Sequence, residues 1–298
     1  MSYILSCCST VDLSYEHLKA RDLHYICFHY SLGDKTYLDD LGQTIPFDEF
    51  YQRMANGERT KTSQISAEEY KTYFRQFLEE GKDIIHLTLS SGLSGTINSA
   101  MIAKNELEEE FPDRKIAIID SLAASSGYGL LMDRLADLRD EGKSFEEVVD
   151  YATNNRLRLN HWFFSTDLKY YFLGGRISKS AYWAGSLIKV CPVLNVDSEG
   201  HLIPLEKALG KKKAAQKLLA HMKECADNGL EYADKVYISH SAFEQDAEEL
   251  ARNIEATFPK LKGKVEIYSI GTTIGAHTGP GTIALFFWGK PRVKENYK

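Results

Sequence analysis

The 298-residue chain lacks the patterns that announce most chemistries. It contains neither a G-x-x-x-x-G-K-[ST] phosphate loop nor a G-x-G-x-x-G fingerprint, which closes the usual routes to nucleotide binding. Its histidines include no H-E-x-x-H or other metal-ligand spacing, so no structural or catalytic metal and no cofactor is expected. The five cysteines (Cys7, Cys8, Cys27, Cys191, Cys225) form no C-x-x-C pair, and their odd number cannot complete a disulfide framework. A reducing cytoplasm is the expected setting. No apolar run approaches a membrane span, and the N-terminal residues have neither a basic n-region nor an apolar run long enough for export. Positive charge is also short: 36 Lys and Arg stand against 42 Asp and Glu, a net charge of −6, whereas a general nucleic-acid binder has a basic footprint. There is no Pro- or Ser-rich linker, internal repeat or low-complexity tract.

What remains is an ordinary globular composition, 43% hydrophobic and 26% charged, with length for two medium domains. Tyr3–Ser6 reads as a first strand, followed by a short helix near Ser14, a second strand over His24–Tyr30, and turns or a hairpin over Ser31–Gln43. Pro46 opens a helix, and Thr60–Gln64 links it to the next. Ser66 with Glu69 forms a capping box ahead of an apolar stripe through Tyr70, Phe74, Phe77 and Leu78. Strands at Asp83–Thr88 and Lys115–Asp120 flank a helix beginning near Thr96, and helices follow at Leu130–Arg139 and Ser144–Leu157. This β-α alternation predicts a mainly parallel sheet flanked by helices over residues 1–160. Residues 161–298 read as a second α/β domain. Its strands are His161–Ser165, Val190–Val196, His201–Glu206, Lys235–His240, Val265–Ile270 and Thr282–Trp288, with adjacent strands arguing for a partly antiparallel, mixed sheet.

Four loop constellations join these elements, where scaffolded sites are usually found. The first to attract notice is Leu89-Ser90-Ser91-Gly92-Leu93-Ser94-Gly95-Thr96, which stands between a buried strand and a helix start. Such a loop can set hydroxyls and free backbone N–H groups at the positive end of a helix dipole, a setting that suits a carboxylate or phosphate. The others are Thr62-Ser63-Gln64, Gly174-Gly175-Arg176, and Gly275 to Gly281 containing His277 and Thr278. Each has a bland explanation as well. Thr62 and Ser63 can simply cap or turn the chain before Ser66, and Ser94 can be an N-cap. The glycines can make a sharp turn that leaves Arg176 paired to a surface carboxylate, and His277 can be a solvated loop histidine.

Taken together and in order, these loops, with Ile119-Asp120-Ser121 and Gly174-Gly175-Arg176-Ile177-Ser178, resemble the DegV family along essentially the whole chain. The resemblance implies a bacterial cytoplasmic protein of two α/β domains that holds a long-chain fatty acid at the domain interface, with the tail buried. It also implies a carrier rather than an enzyme, one that presents the acid to a separate ATP-dependent fatty acid kinase, the catalytic partner that forms an acyl phosphate. Motif matched to motif, the carboxylate-binding hydroxyls fall on Thr62 and Ser94, the carboxylate-side histidine on His277, and the arginine of the Gly-Gly-Arg motif on Arg176. Ser63, Gly95, Thr96 and Thr278 complete the expected ligand-binding set. Hydroxyl donors, a helix N-terminus and a histidine can hold a carboxylate without a full counter-charge. The buried tail then supplies affinity at ~0.8 kcal/mol per CH₂.

The chain departs from the family pattern at three places. Cys7-Cys8-Ser9-Thr10 replaces a Thr-Asp-Ser-Thr stretch, Ile65 replaces a proline, and Leu209 stands where an arginine is common on the partner-facing side. A reading from a different class is a serine hydrolase acting on acyl esters through Ser94, Asp120 and His277, whose order is that of nucleophile, acid and base in α/β-hydrolases. Thr96 stands where the nucleophile elbow needs glycine. A monomer is expected, with no nucleic-acid partner, no transmembrane segment and at most transient contact with a membrane surface.

Overall fold

In Asp83–Thr88, β6 of the fold, every side chain after Asp83 is buried, as befits an interior strand covered on both faces. The computed structural model, which describes residues 3–185 and 190–293, contains thirteen strands among these residues. Those before β6 are β1 (Tyr3–Cys8), β2 (Leu23–Ile26), β3 (His29–Leu32), β4 (Lys35–Leu38) and β5 (Thr60–Ser63). After it come β7 (Ile116–Asp120), β8 (Leu159–Ser165), β9 (Val190–Val196), β10 (Leu202–Leu209), β11 (Val236–His240), β12 (Val265–Ser269) and β13 (Thr282–Trp288).

They form three sheets. The first, in the order β2-β1-β6-β7, is parallel throughout. The second, β10-β9-β8-β13-β11-β12, is antiparallel except for the β11–β12 pair. The mainly parallel first sheet and mixed second sheet expected from the sequence are therefore present. A small antiparallel sheet, β4-β3-β5, stands beside them with its own core of Tyr30, Leu32, Ile45, Phe50, Tyr51 and Met54.

Three local expectations are corrected. The single strand over His24–Tyr30 is two strands in different sheets, because the chain leaves the first sheet at Phe28, whose N–H donates to Ser9 Oγ at 3.0 Å. The link Thr60–Gln64 is largely β5, paired with β3 so that Thr62 faces Tyr30 across the ladder. The glycine-rich stretch before Gly281 is mostly helix, Thr272–Thr278, ended by Gly279 at φ +68.

Both capping boxes are present, Ser66 with Glu69 and Ser144 with Glu147. The helix expected over Leu130–Arg139 runs from Ser126 to Asp140. It lies against β1 of the first sheet and against β8, β11 and β13 of the second, and is therefore buried around most of its circumference. Asp133 at its centre is 2% exposed. It takes hydrogen bonds from Tyr237 at 3.0 Å and from Lys235, and it pairs with Arg21 Nε at 3.1 Å. Helix Lys211–Cys225 lies on the other face of the second sheet, where His221 stacks on Trp162. No helix among the described residues is long and apolar enough to cross a membrane.

Candidate functional site

The helix Thr272–Thr278 packs on β3 and β5. Its start is fixed by the buried Asp39, which accepts from Thr272 Oγ1 at 2.7 Å and from the Thr273 N–H at 3.3 Å. Tyr51 adds a hydrogen bond to the Ile270 carbonyl at 2.7 Å. The last turn brings His277 Nε2 to 2.7 Å from Thr62 Oγ1, although the two residues lie 215 positions apart.

The other face of the imidazole is set by the Gly-Gly-Arg turn. A Cβ at residue 174 would lie 2.2 Å from His277 Nδ1, so only glycine lets the ring sit there, and Gly175 at φ +73 turns the chain. Arg176 Nη1 then lies 3.3 Å from His277 Nδ1. Its remaining donors reach the Leu93 carbonyl at 3.2 and 3.0 Å and the Gly174 carbonyl at 2.5 Å. Arg176 is thus built into the site and is not paired with a surface carboxylate.

These contacts assign the protons. A guanidinium only donates, so His277 Nδ1 accepts and Nε2 carries the hydrogen, donated to Thr62. Burial, with the Arg176 charge adding to it, pushes His277 down to about 3, so the ring is neutral. The Thr62 oxygen is occupied as an acceptor, which leaves its own hydrogen for a ligand. The hydrogen expected to go from His277 to a carboxylate is therefore donated to Thr62, and this bond orients the Thr62 hydroxyl.

The loop after β6 is more self-satisfied than its sequence suggests. The N–H groups of Ser91 and Gly92 go to Asp120 Oδ1 and Ser90 Oγ, those of Leu93 and Ser94 to the Ser90 carbonyl, and that of Thr96 to Ser94 Oγ. The Gly95 N–H has no acceptor among the described residues. This amide and the Ser94 and Thr62 hydroxyls are donors open to an anion in the cavity. Gly95 lies close to Gln64: a Cβ there would come 2.9 Å from the oxygen of Gln64, whose amide donates to Ser99 Oγ at 3.2 Å, so a larger residue would displace that side chain.

Thr62, Ser94, Gly95, Arg176, His277 and Thr278 all line one cavity of about 1160 Å³. Ser63 and Thr96 do not. Ser63 is exposed on β5, and Thr96 is buried in the other direction with its hydroxyl 2.9 Å from Tyr70 Oη. The Ser94, Asp120, His277 relay is not assembled: Asp120 accepts from the Ser91 and Leu122 amides, and both imidazole nitrogens are engaged by Thr62 and Arg176. From the polar group the cavity runs inward over alternate residues of the second sheet, His161 and Phe163 of β8 and Ala284 and Phe286 of β13. Outward, the exposed Arg59, Lys61 and Lys169 line its rim. Gln64, the rim cations and His161 join the lining without having been expected as ligand-binding residues. Only Gln64 carried a signal, as the third residue of Thr-Ser-Gln.

The family described as "Uncharacterised protein, DegV family" matches residues 8–290. A DegV domain-containing protein of Clostridium perfringens is 35% identical over 281 residues, 94% of this chain and 95% of that protein. Among solved structures, a DegV family protein of Thermus thermophilus, described by its fatty acid binding, has a TM-score of 0.84 at 28% identity, covering 97% of this chain and 100% of that one. The fatty acid kinase (Fak) B3 protein of Streptococcus pneumoniae, loaded with linoleic acid, has a TM-score of 0.83 at 26% identity, also covering 97% and 100%.

Proposed function

The chain belongs to the DegV family, and from that premise we propose that it binds a long-chain fatty acid and, as a non-catalytic carrier, presents the carboxylate to a separate fatty acid kinase. The observation that carries the reading is a single cavity that is polar at its outer part, where Thr62, Ser94 and the Gly95 amide offer donors, and largely apolar beyond, among Phe163, Ala284 and Phe286. Three donors beside a half-buried guanidinium suit one carboxylate oxygen pair. The tail stabilises the complex by apolar burial, ~0.8 kcal/mol per CH₂. The rim cations Arg59, Lys61 and Lys169 favour an anionic head at the mouth. His277 and Arg176 are positioning groups in this reading, the first acting through Thr62 and the second through His277.

Two lines of support favour the carrier role. The similar structures in which fatty acids are bound include a fatty acid kinase (Fak) B3 protein, and among the described residues Ser94, Asp120 and His277 form no relay that competes with the carboxylate site. In this reading the chain is a cytoplasmic monomer whose two α/β segments meet near residue 160 with the ligand between them, and it reaches membranes by transient surface contact.

Native mass spectrometry and lipid extraction of protein purified from bacteria test the binding. Protein that is free of lipid and takes up neither palmitate nor oleate would defeat it. Formation of acyl phosphate on addition of a bacterial fatty acid kinase and ATP tests the presentation. A lipid-loaded protein whose bound acid no such kinase converts to an acyl phosphate would leave a sensor in place of a carrier.

A further inference from the structure

The inner part of the cavity carries polar groups that a plain alkyl chain leaves idle. His161 of β8 lines it and is 1% exposed. Its Nδ1 lies 3.1 Å from the Leu159 carbonyl, which can only accept, so Nδ1 carries the ring hydrogen. Burial, reinforced by the Arg292 charge, holds the imidazole well below its ordinary range. The ring is neutral, and Nε2 presents a bare lone pair. That atom is buried without a hydrogen-bond partner among the described residues. Buried acceptors are normally satisfied.

The surroundings indicate what kind of partner is missing. The absence of a side chain at Gly127 makes room for the ring: a Cβ there would lie 2.4 Å from Nε2. His161 therefore sits against the first turn of the 15-residue helix Ser126–Asp140. That helix has no side-chain cap. Ser125, its N-cap residue and itself a cavity-lining group, turns its hydroxyl instead to Asp12 at 2.5 Å and Ser239 at 3.1 Å. The Gly127 N–H goes to the Ala124 carbonyl at 3.2 Å, while those of Ser126 and Tyr128 have no acceptor among the described residues; these open amides favour an acceptor oxygen, whereas His161 requires a donor. A hydroxyl provides both from one atom. A methylene provides neither, and a carbonyl or ether cannot donate.

The register gives its place along a ligand. The Ser165–Thr282 row of the sheet is tied to the helix leading into the Gly-Gly-Arg turn by the Tyr171–Thr282 hydrogen bond of 3.0 Å. The His161–Phe286 row lies four residues farther, roughly 13 Å along the strand. An extended chain with bonds of about 1.5 Å advances roughly 1.25 Å per carbon, so about ten carbons separate the two rows.

We propose that this inner region is a hydroxyl subsite, and that the protein takes a long-chain fatty acid bearing a hydroxyl in its distal half. His161 Nε2 accepts the hydroxyl hydrogen, and the first turn of Ser126–Asp140 faces its oxygen. The proposal rests on the fatty-acid reading above and adds the class of acyl chain.

Oleate and ricinoleate, which differ by one mid-chain hydroxyl, test it by calorimetric titration of delipidated protein. Ricinoleate is expected to bind about threefold to tenfold more tightly, the return on one net buried hydrogen bond. His161→Phe, which keeps a ring in the space, is expected to abolish the preference. In the unmodified protein, the His161 Nε2 nitrogen resonance should lie upfield in the ricinoleate complex relative to the oleate complex, as an imidazole acceptor does on taking a hydrogen bond, a readout that does not depend on the variant folding. Equal affinity for the two acids with the same Nε2 resonance in both complexes would overturn the hydroxyl subsite while leaving fatty-acid binding intact. Failure of both acids to bind would overturn the fatty-acid reading and the subsite with it.

Discussion

If His277 works by aiming the Thr62 hydroxyl, the two residues are one unit and their substitutions should not add. Thr62→Val removes the hydroxyl at nearly constant volume. It deletes a hydrogen bond to a charged head group, about 1.5–3 kcal/mol, which corresponds to a rise in Kd of about 10- to 150-fold. His277→Phe keeps the hydroxyl but leaves its hydrogen unaimed, a cost of about 1 kcal/mol. In the double variant nothing remains to be aimed, so its cost should fall below the sum of the single costs by about 1 kcal/mol. Displacement of a fluorescent fatty acid from delipidated protein measures all three. Costs that add to within about 0.5 kcal/mol would refute the orienting role. So would a step in wild-type affinity near pH 6.5, about where an ordinary histidine titrates, since burial and Arg176 hold the free protein's His277 at about 3.

Gly174→Ala places a methyl where 2.2 Å separates it from His277 Nδ1. The ring must shift, so fatty-acid affinity should drop by tenfold or more with little change in melting temperature, and unchanged affinity would show that the ring position is irrelevant. Asp133→Asn leaves Lys235 and Arg21 facing a neutral group inside the fold and should destabilise by about 3 kcal/mol at neutral pH. Asp133 is held well below its ordinary value of 3.8 by hydrogen bonds and charges from His17, Lys235 and Arg21, which together outweigh its burial. Its contribution is therefore complete above that value and lost as pH falls toward the depressed one, so scanning calorimetry should show wild type and variant converging in acid. Reversing the rim with Lys61→Glu and Lys169→Glu should slow fatty-acid uptake at low ionic strength, with the difference fading as salt rises. A salt-independent difference would place the effect outside electrostatics.

Elements that carry their own signal were legible in the sequence. Asp83–Thr88, Val190–Val196 and Thr282–Trp288 are strands at the residues expected, because each is a short segment centred on aliphatic or aromatic residues that the fold buries. The capping boxes at Ser66 and Ser144 announce helix starts through local chemistry alone. Thr60–Ser63 has no apolar residue, so no alternation can reveal its strand, and its pairing with His29–Leu32 is fixed by tertiary structure. The Thr272–Thr278 helix reads as loop because glycine and threonine are weak helix formers, and a packed environment overrides that preference.

The site shows the same division. Thr62, Ser94, Arg176 and His277 were legible as a set through motif resemblance, but the direction of each hydrogen bond was not. Whether His277 donates to a ligand or to Thr62 depends on Arg176 occupying its other nitrogen, a contact between residues 101 apart in sequence. Thr96 was misplaced by proximity in the chain, since one step along a helix turns a side chain by about 100°. His161 carried no signal, because its interest lies in a partner it does not have.

The helix Ser126–Asp140 belongs to the first half of the chain by sequence and packs on both large sheets. Dividing the protein near residue 160 would strip that helix of one of its two coverings and leave the second sheet with an open apolar face. Neither half is then expected to fold by itself. The intact chain should melt in one cooperative transition, with the sheets gained and lost together, so that the cavity between them exists only as a property of the whole.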